Sequence, residues 1–340
     1  MKTKKIKAIA VSLITTFAVA NFFVISCKKE TGPEGAAGPA GTNGLNGTNG
    51  TNGTNGTNSS VVSMADQTAY NAADGIIGGR LYDYFVNELK DEAASNMVTD
   101  TAILNKPNFY RCKSCHGWDL LGRRGNLAQK AITASYPEVA NNNLYDYAHM
   151  HNIREIFDAV KNTGGNYVQY HKTGSGIGVT ATATMPDYGT ILTDNQIWQL
   201  VKFLKKEAMN VADFYDMDVV KPYPQAANDE SATEFTNIGK SGNVTNGKAF
   251  ISSICGGCHG TDGTEINIYC QGDWLGNTFR DDPFEVQHKV KFGMPKDYDH
   301  LNTSCTGQNN NAMPPVSGIK ESDIRDILSA GQDTIAYPSY

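Results

Sequence analysis

CKSCHGW, residues 112–118, and ICGGCHG, residues 254–260, share one pattern: two cysteines three apart with a histidine directly behind the second. The chain of 340 residues holds seven cysteines and seven histidines. One Cys-x-x-Cys-His run would arise by chance in about three of a thousand chains of that composition. Chance does not supply two, so the rest of the sequence is read outward from them.

On a helical turn the two thiols of such a run can add to the two vinyl groups of a haem while the adjacent histidine reaches the iron. This makes Cys112, Cys115, Cys255 and Cys258 candidates for covalent attachment, and His116 and His259 candidates for the iron. Two bound c-type haems are expected. A structural zinc site would need four ligands, and neither motif has a second Cys-x-x-Cys or a finger-spaced histidine pair beside it. Thioredoxin-like redox chemistry requires no histidine.

Each motif is followed at a distance by Met-Pro and then by an amphipathic run. Met185-Pro186 stands 69 residues after His116, ahead of LTDNQIWQLVKFLKKE, where Ile197, Leu200, Val201 and Leu204 recur at helical spacing behind Thr193 or Asp194. Met313-Pro314 stands 54 residues after His259, ahead of IKESDIRDILSAG, where Ile324, Ile327 and Leu328 follow Ser322 and Gly331 offers a stop. The haem motif, the Met-Pro pair and the closing helix, in that order in both halves, resemble the class I cytochrome c family. The resemblance implies a mainly α fold of two tandem domains, each a small helical body around its own haem. It also implies Met185 and Met313 as distal ligands to iron.

Competing ligands are Met294, only 35 residues after His259, and in the first half His149, His151 and His171. GGRLYDYF, residues 78–85, and FYRCKSCHGWDLLG, residues 109–122, also resemble the front of bacterial monohaem cytochromes. In NGKAFISSICGGCHG, Gly247 and Phe250 occupy places where this family packs its first helix on its last. Trp118 and Trp274 could partner haem propionates, but core packing is their default role.

The ends of the chain carry a different message. MKTKKIKAIAVSLITTFAVANFFVISC, residues 1–27, reads as an export signal, and Val24-Ile25-Ser26-Cys27 resembles a lipobox whose cysteine becomes an acylated N-terminus. An uncleaved anchor helix is the alternative. Residues 28–60 form a tether in which glycine falls at every third position from Gly32 to Gly56. That is a collagen-like period, yet only Pro33 and Pro39 stiffen it, so a disordered spacer is favoured over a trimeric stalk. As a coil it would reach roughly 30 Å.

The remaining boundaries are a first domain at 61–214, a polar linker at 215–235 and a second domain at 236–340. Each half is expected to fold around its own cofactor. Cys270 and Cys305 are left over, and an exported chain makes a disulfide between them the expectation. The net charge is −6, but Lys2, Lys4, Lys5 and Lys7 fall in the leader, leaving 25 basic against 35 acidic residues. Such a balance argues against nucleic acid as a partner and against a basic membrane-surface helix. The expected role is single-electron transfer between redox protein partners, in the periplasm or on the cell surface, with a dihaem peroxidase-like oxidoreductase as the alternative.

Overall fold

Ser63, Asn143, Asn152 and Thr193 stand at helix N-caps, where their side chains accept from backbone N–H groups two or three positions on. These starts divide the first half into helices in a computed structural model that describes residues 61–91 (84–91 as backbone only), 110–128, 143–163, 185–220, 233–268, 273–294 and 313–340. All of them belong to one compact unit, Gly56–Tyr340. The leader, the tether, His171, Cys270 and Cys305 lie outside the described residues.

The helices are α1 (Met64–Ala72), α2 (Gly75–Asp91), α3 (Cys112–His116), α4 (Leu144–Met150), α5 (Ile153–Lys161) and α6 (Asp194–Lys202). A π-helical turn, Phe203–Glu207, extends α6. The second half contributes α7 (Val244–Phe250), a π turn at Ile251–Cys255, α8 (Gly256–His259), α9 (Leu275–Asp281), α10 (Pro283–Phe292) and α11 (Glu321–Ala330). The fold is helical, as expected, and no described helix is long and apolar enough to cross a membrane.

Helix α6 follows its sequence pattern closely. Thr193 and Gln196 form a reciprocal capping box, and Ile197, Leu200, Val201 and Leu204 are all buried. Helix α11 differs at both ends from its expected form. It starts at Glu321 rather than behind Ser322, because the Asp323 carboxylate accepts from Lys320 N–H at 2.9 Å and sets the first turn there. Gly331 remains right-handed (φ −63°), and its reason is space: a Cβ would lie 2.4 Å from the Phe279 ring.

In each half two helices cross through a glycine, α2 against α6 in the first and α7 against α11 in the second. A Cβ on Gly78 would fall 2.0 Å from Gln199 O, and one on Gly247 would fall 1.9 Å from Asp326 O. Only a bare backbone permits that approach.

The core forms two clusters. The first gathers Leu81, Tyr82, Tyr110, Phe157, Ile197, Val201 and Phe203; the second gathers Phe214, Tyr215, Ile251, Phe279, Ile324 and Leu328. The segment read as a linker is structured at its ends. Tyr215 is buried in the second cluster, and β1 (Asp216–Val219) pairs antiparallel with β2 (Thr233–Thr236), Asp216 opposite Thr236 and Val219 opposite Thr233. Residues 221–232 lie outside the described residues.

Nor do the clusters divide cleanly at that segment. Trp118, from the first half, is buried in the second cluster, and Phe292, from the second half, is buried in the first. A Cβ on Gly79 would lie 2.2 Å from the Phe292 ring, so the neighbouring glycines of α2 admit two different helices.

Candidate haem sites

Both motifs are short helices closed by glycine. Gly117 and Gly260 follow His116 and His259 at φ 77° and 78°, a region that L side chains rarely adopt. The chain therefore turns away directly behind each histidine. All four motif cysteines are unbonded, so Cys112 and Cys115 do not form a disulfide with one another, and neither do Cys255 and Cys258.

The first motif is embedded in its half. Arg111, one residue before it, makes a buried ion pair with Asp83 of α2 and donates through Nε to Asp83 O at 2.6 Å. The Tyr82 hydroxyl donates to Gly117 O at 2.6 Å. Burial pushes both thiols, Cys112 and Cys115, up to about 12 and holds the His116 imidazole down to about 4. Lys113 between the cysteines is likewise held down to about 7 by burial, with its Nζ 4.7 Å from the Trp118 ring centroid. Asp119 is buried and raised to about 7, although it accepts from Asn126 N–H at 2.6 Å and Leu121 N–H at 3.1 Å.

Met185 packs on the same cluster as Cys112. Three residues on, the Tyr188 hydroxyl donates to Tyr110 O at 2.6 Å and lies against the Cys112 thiol. The Met-Pro segment is also held from α5: Asn162, left-handed at φ 50°, donates through Nδ2 to Met185 O at 2.5 Å and to Pro186 O at 3.3 Å. Two of the other first-half candidates, His149 and His151, sit elsewhere. His149 is exposed with its ring over Tyr145, and His151 stacks on Tyr147 and faces Glu155 at 3.2 Å.

The second motif is more open. Cys258 and Ile254 are exposed, and nothing lies within 4 Å of a Cβ built on Gly257. Cys255 is half-buried, and burial raises its thiol to about 11. Burial also lowers the His259 imidazole. Cys255 and Met313 both pack on the second cluster. Met294 and Met313 form an isolated antiparallel bridge in which Met294 N–H donates to Met313 O at 2.8 Å. The two competing methionines are thus neighbours.

His116 and His259 each keep a buried Nδ1 with no hydrogen-bond partner among the described residues. Each site then offers two unbonded thiols and an imidazole on one short motif, with Cys112 and Met185 on the first cluster and Cys255 and Met313 on the second, a set of side chains that fits a covalently bound haem. Among those residues no three His, Cys, Asp or Glu side chains form a metal cluster.

Sequence reasoning missed Tyr82, Asn162, Tyr188, Gln287 and His288. Asn162 carried a partial signal, since asparagine after Lys161 marks a helix stop, and Tyr82 lies within the GGRLYDYF stretch; Tyr188, Gln287 and His288 had none. Trp118 is buried as core, while Trp274 is half-buried beside Tyr340. Gln287 donates to Trp118 O at 3.0 Å, and the His288 ring lies 4.7 Å from the Trp118 ring.

No curated protein and no solved structure matches this chain. Residues 107–207, which span the first motif, Met185-Pro186 and α6, match the family model described as Cytochrome c; this segment therefore carries a cytochrome c domain, which implies covalently bound c-type haem with its iron and haem-based electron transfer.

Proposed function

We propose that the chain is a dihaem c-type cytochrome, held at a bacterial membrane through an acylated Cys27 and a Gly-X-Y tether, that passes single electrons between redox protein partners outside the cytoplasmic membrane. The observation that carries this reading is the repeated pairing of a motif cysteine with a Met-Pro methionine on one core: Cys112 with Met185, and Cys255 with Met313. A glycine also seats α2 on α6 in the first half and α7 on α11 in the second.

Haem bound at such a site supplies one-electron Fe(III)/Fe(II) exchange. The protein's part is to hold it and tune it. Cys112 and Cys115 would anchor the first haem and Cys255 and Cys258 the second, with His116 and Met185, and His259 and Met313, as the side chains that would bind the iron. A thioether favours ferrous over ferric iron relative to a second imidazole, so both potentials would stand above those of bis-histidine haems. Met185 and Met313 each lie half-buried against an apolar cluster, and no separate acid, base or nucleophile is needed. The more exposed second motif would be the readier point of electron exchange with a partner. Thirty-odd residues of tether would let the body stand off the membrane by tens of ångströms.

A redox titration of the mature protein, followed by visible absorbance, tests the reading. Two low-spin haems that refuse carbon monoxide are expected. Met185→Ala and Met313→Ala should each remove one haem's ferric sulfur-to-iron band and open that haem to carbon monoxide, while Met294→Ala should do neither. One haem open to ligand in the unmutated protein would instead point to an oxidoreductase of the peroxidase kind. Cys27→Ser should release the protein from the membrane fraction, and continued attachment would point to an anchor helix.

A further inference from the structure

We infer that the second half of the chain completes the first haem site, with Gln287 and His288 of α10 acting as positioning residues for His116 through Trp118. The inference rests on the dihaem reading above.

His116 has no hydrogen-bond partner at Nδ1 among the described residues, so the backbone that follows it must set its ring. That backbone is pinned at three successive residues. Gly117 O accepts from Tyr82 of α2 at 2.6 Å, Trp118 O accepts from Gln287 of α10 at 3.0 Å, and the Asp119 carboxylate accepts from the backbone N–H groups of Leu121 and Asn126. The middle pin comes from a residue 169 positions away. It is reinforced by packing, because the His288 ring lies 4.7 Å from Trp118 and Lys289 Nζ lies 5.7 Å from the same ring.

Helix α10 is itself fixed to the first half. His288 Nε2 donates to Gly79 O at 3.1 Å, and Phe292 meets Phe203 edge-on at 5.0 Å. Two residues beyond Phe292, Met294 N–H bonds Met313 O. Helix α10 thus spans from the backbone behind His116 to within two residues of the Met294–Met313 bridge. The described contacts behind His259 are different in kind: Glu265 N–H to His259 O at 3.0 Å, and Leu275 N–H to Gly263 O at 3.2 Å, both from the second half.

The test uses the full mature holoprotein. Gln287→Met keeps volume and removes the donor; His288→Leu removes the ring contact and the bond to Gly79. Ile324→Ala, a core truncation on α11, serves as a destabilised control. Midpoint potentials and low-spin electron paramagnetic resonance signals are read for each haem, with Met185→Ala identifying which belongs to the first. Expected is a shift in the potential and g-values of the first haem in both α10 variants, with the second haem's sulfur-to-iron band retained and the first haem unmoved in Ile324→Ala. An unmoved first haem in both α10 variants overturns the inference, as does an equal shift in Ile324→Ala. Fewer than two covalent haems in the unmutated protein overturns the dihaem reading itself, and the inference with it.

Discussion

Asn162 illustrates how much a single side chain can govern here. Its left-handed backbone ends α5, and its amide reaches across to the carbonyls of Met185 and Pro186. Asn162→Gly keeps the backbone conformation and removes the bonds, a loss of about 1 kcal/mol, or about fivefold in the detached population of Met185. The first haem's ferric sulfur-to-iron band should weaken and its carbon monoxide uptake should rise, with the second haem unaffected. His288 gives a pH dependence. Burial holds its imidazole down to about 4 from 6.5; neighbouring Asp83 opposes this, and Lys289 and Lys113 add to it. Between those values the unfolded chain binds the proton and the folded chain does not, so stability is full above pH 6.5 and is lost as pH falls toward 4, by on the order of 3 kcal/mol at most. Thermal melts across that range should show the loss, and His288→Gln should flatten it.

At the scale of elements, the glycine crossings decide packing. Gly78→Ala and Gly247→Ala gain about 1 kcal/mol of helix propensity each but drive a methyl into a carbonyl on the facing helix, which costs about 1–3 kcal/mol or more. Both should lower the melting temperature. Gly257→Ala, in open space, should leave it unchanged or raise it. Helices α6 and α11 were legible because one face meets the core and the other meets water, which writes a period into the sequence. Helix α10 was not. Phe284, Val286, Gln287, His288, Val290 and Phe292 are all buried, so no stripe appears, and its contact with Gly79 spans 209 residues. The Gly78-Gly79 pair was visible as a pair, but a sequence does not say which helix each glycine admits. Met185 and Met313 were nominated as candidates by the repeated Met-Pro, whereas Asn162 and Tyr82 hold backbone carbonyls, a task open to many residue types and so without a motif.

At the scale of the whole molecule, two motif-bearing halves share one compact unit, each lending an aromatic residue to the other's core. The first half contains the segment matched by the Cytochrome c family model, and the second carries the same motif outside that segment. The central claim is that both motifs hold haem. Intact mass of the mature protein after acid-acetone extraction measures this directly, since the extraction removes haem that is not covalently bound. The account predicts a polypeptide retaining the mass of two haems, reduced to one when Cys255 and Cys258 are both replaced by alanine. A polypeptide retaining one haem or none would contradict it.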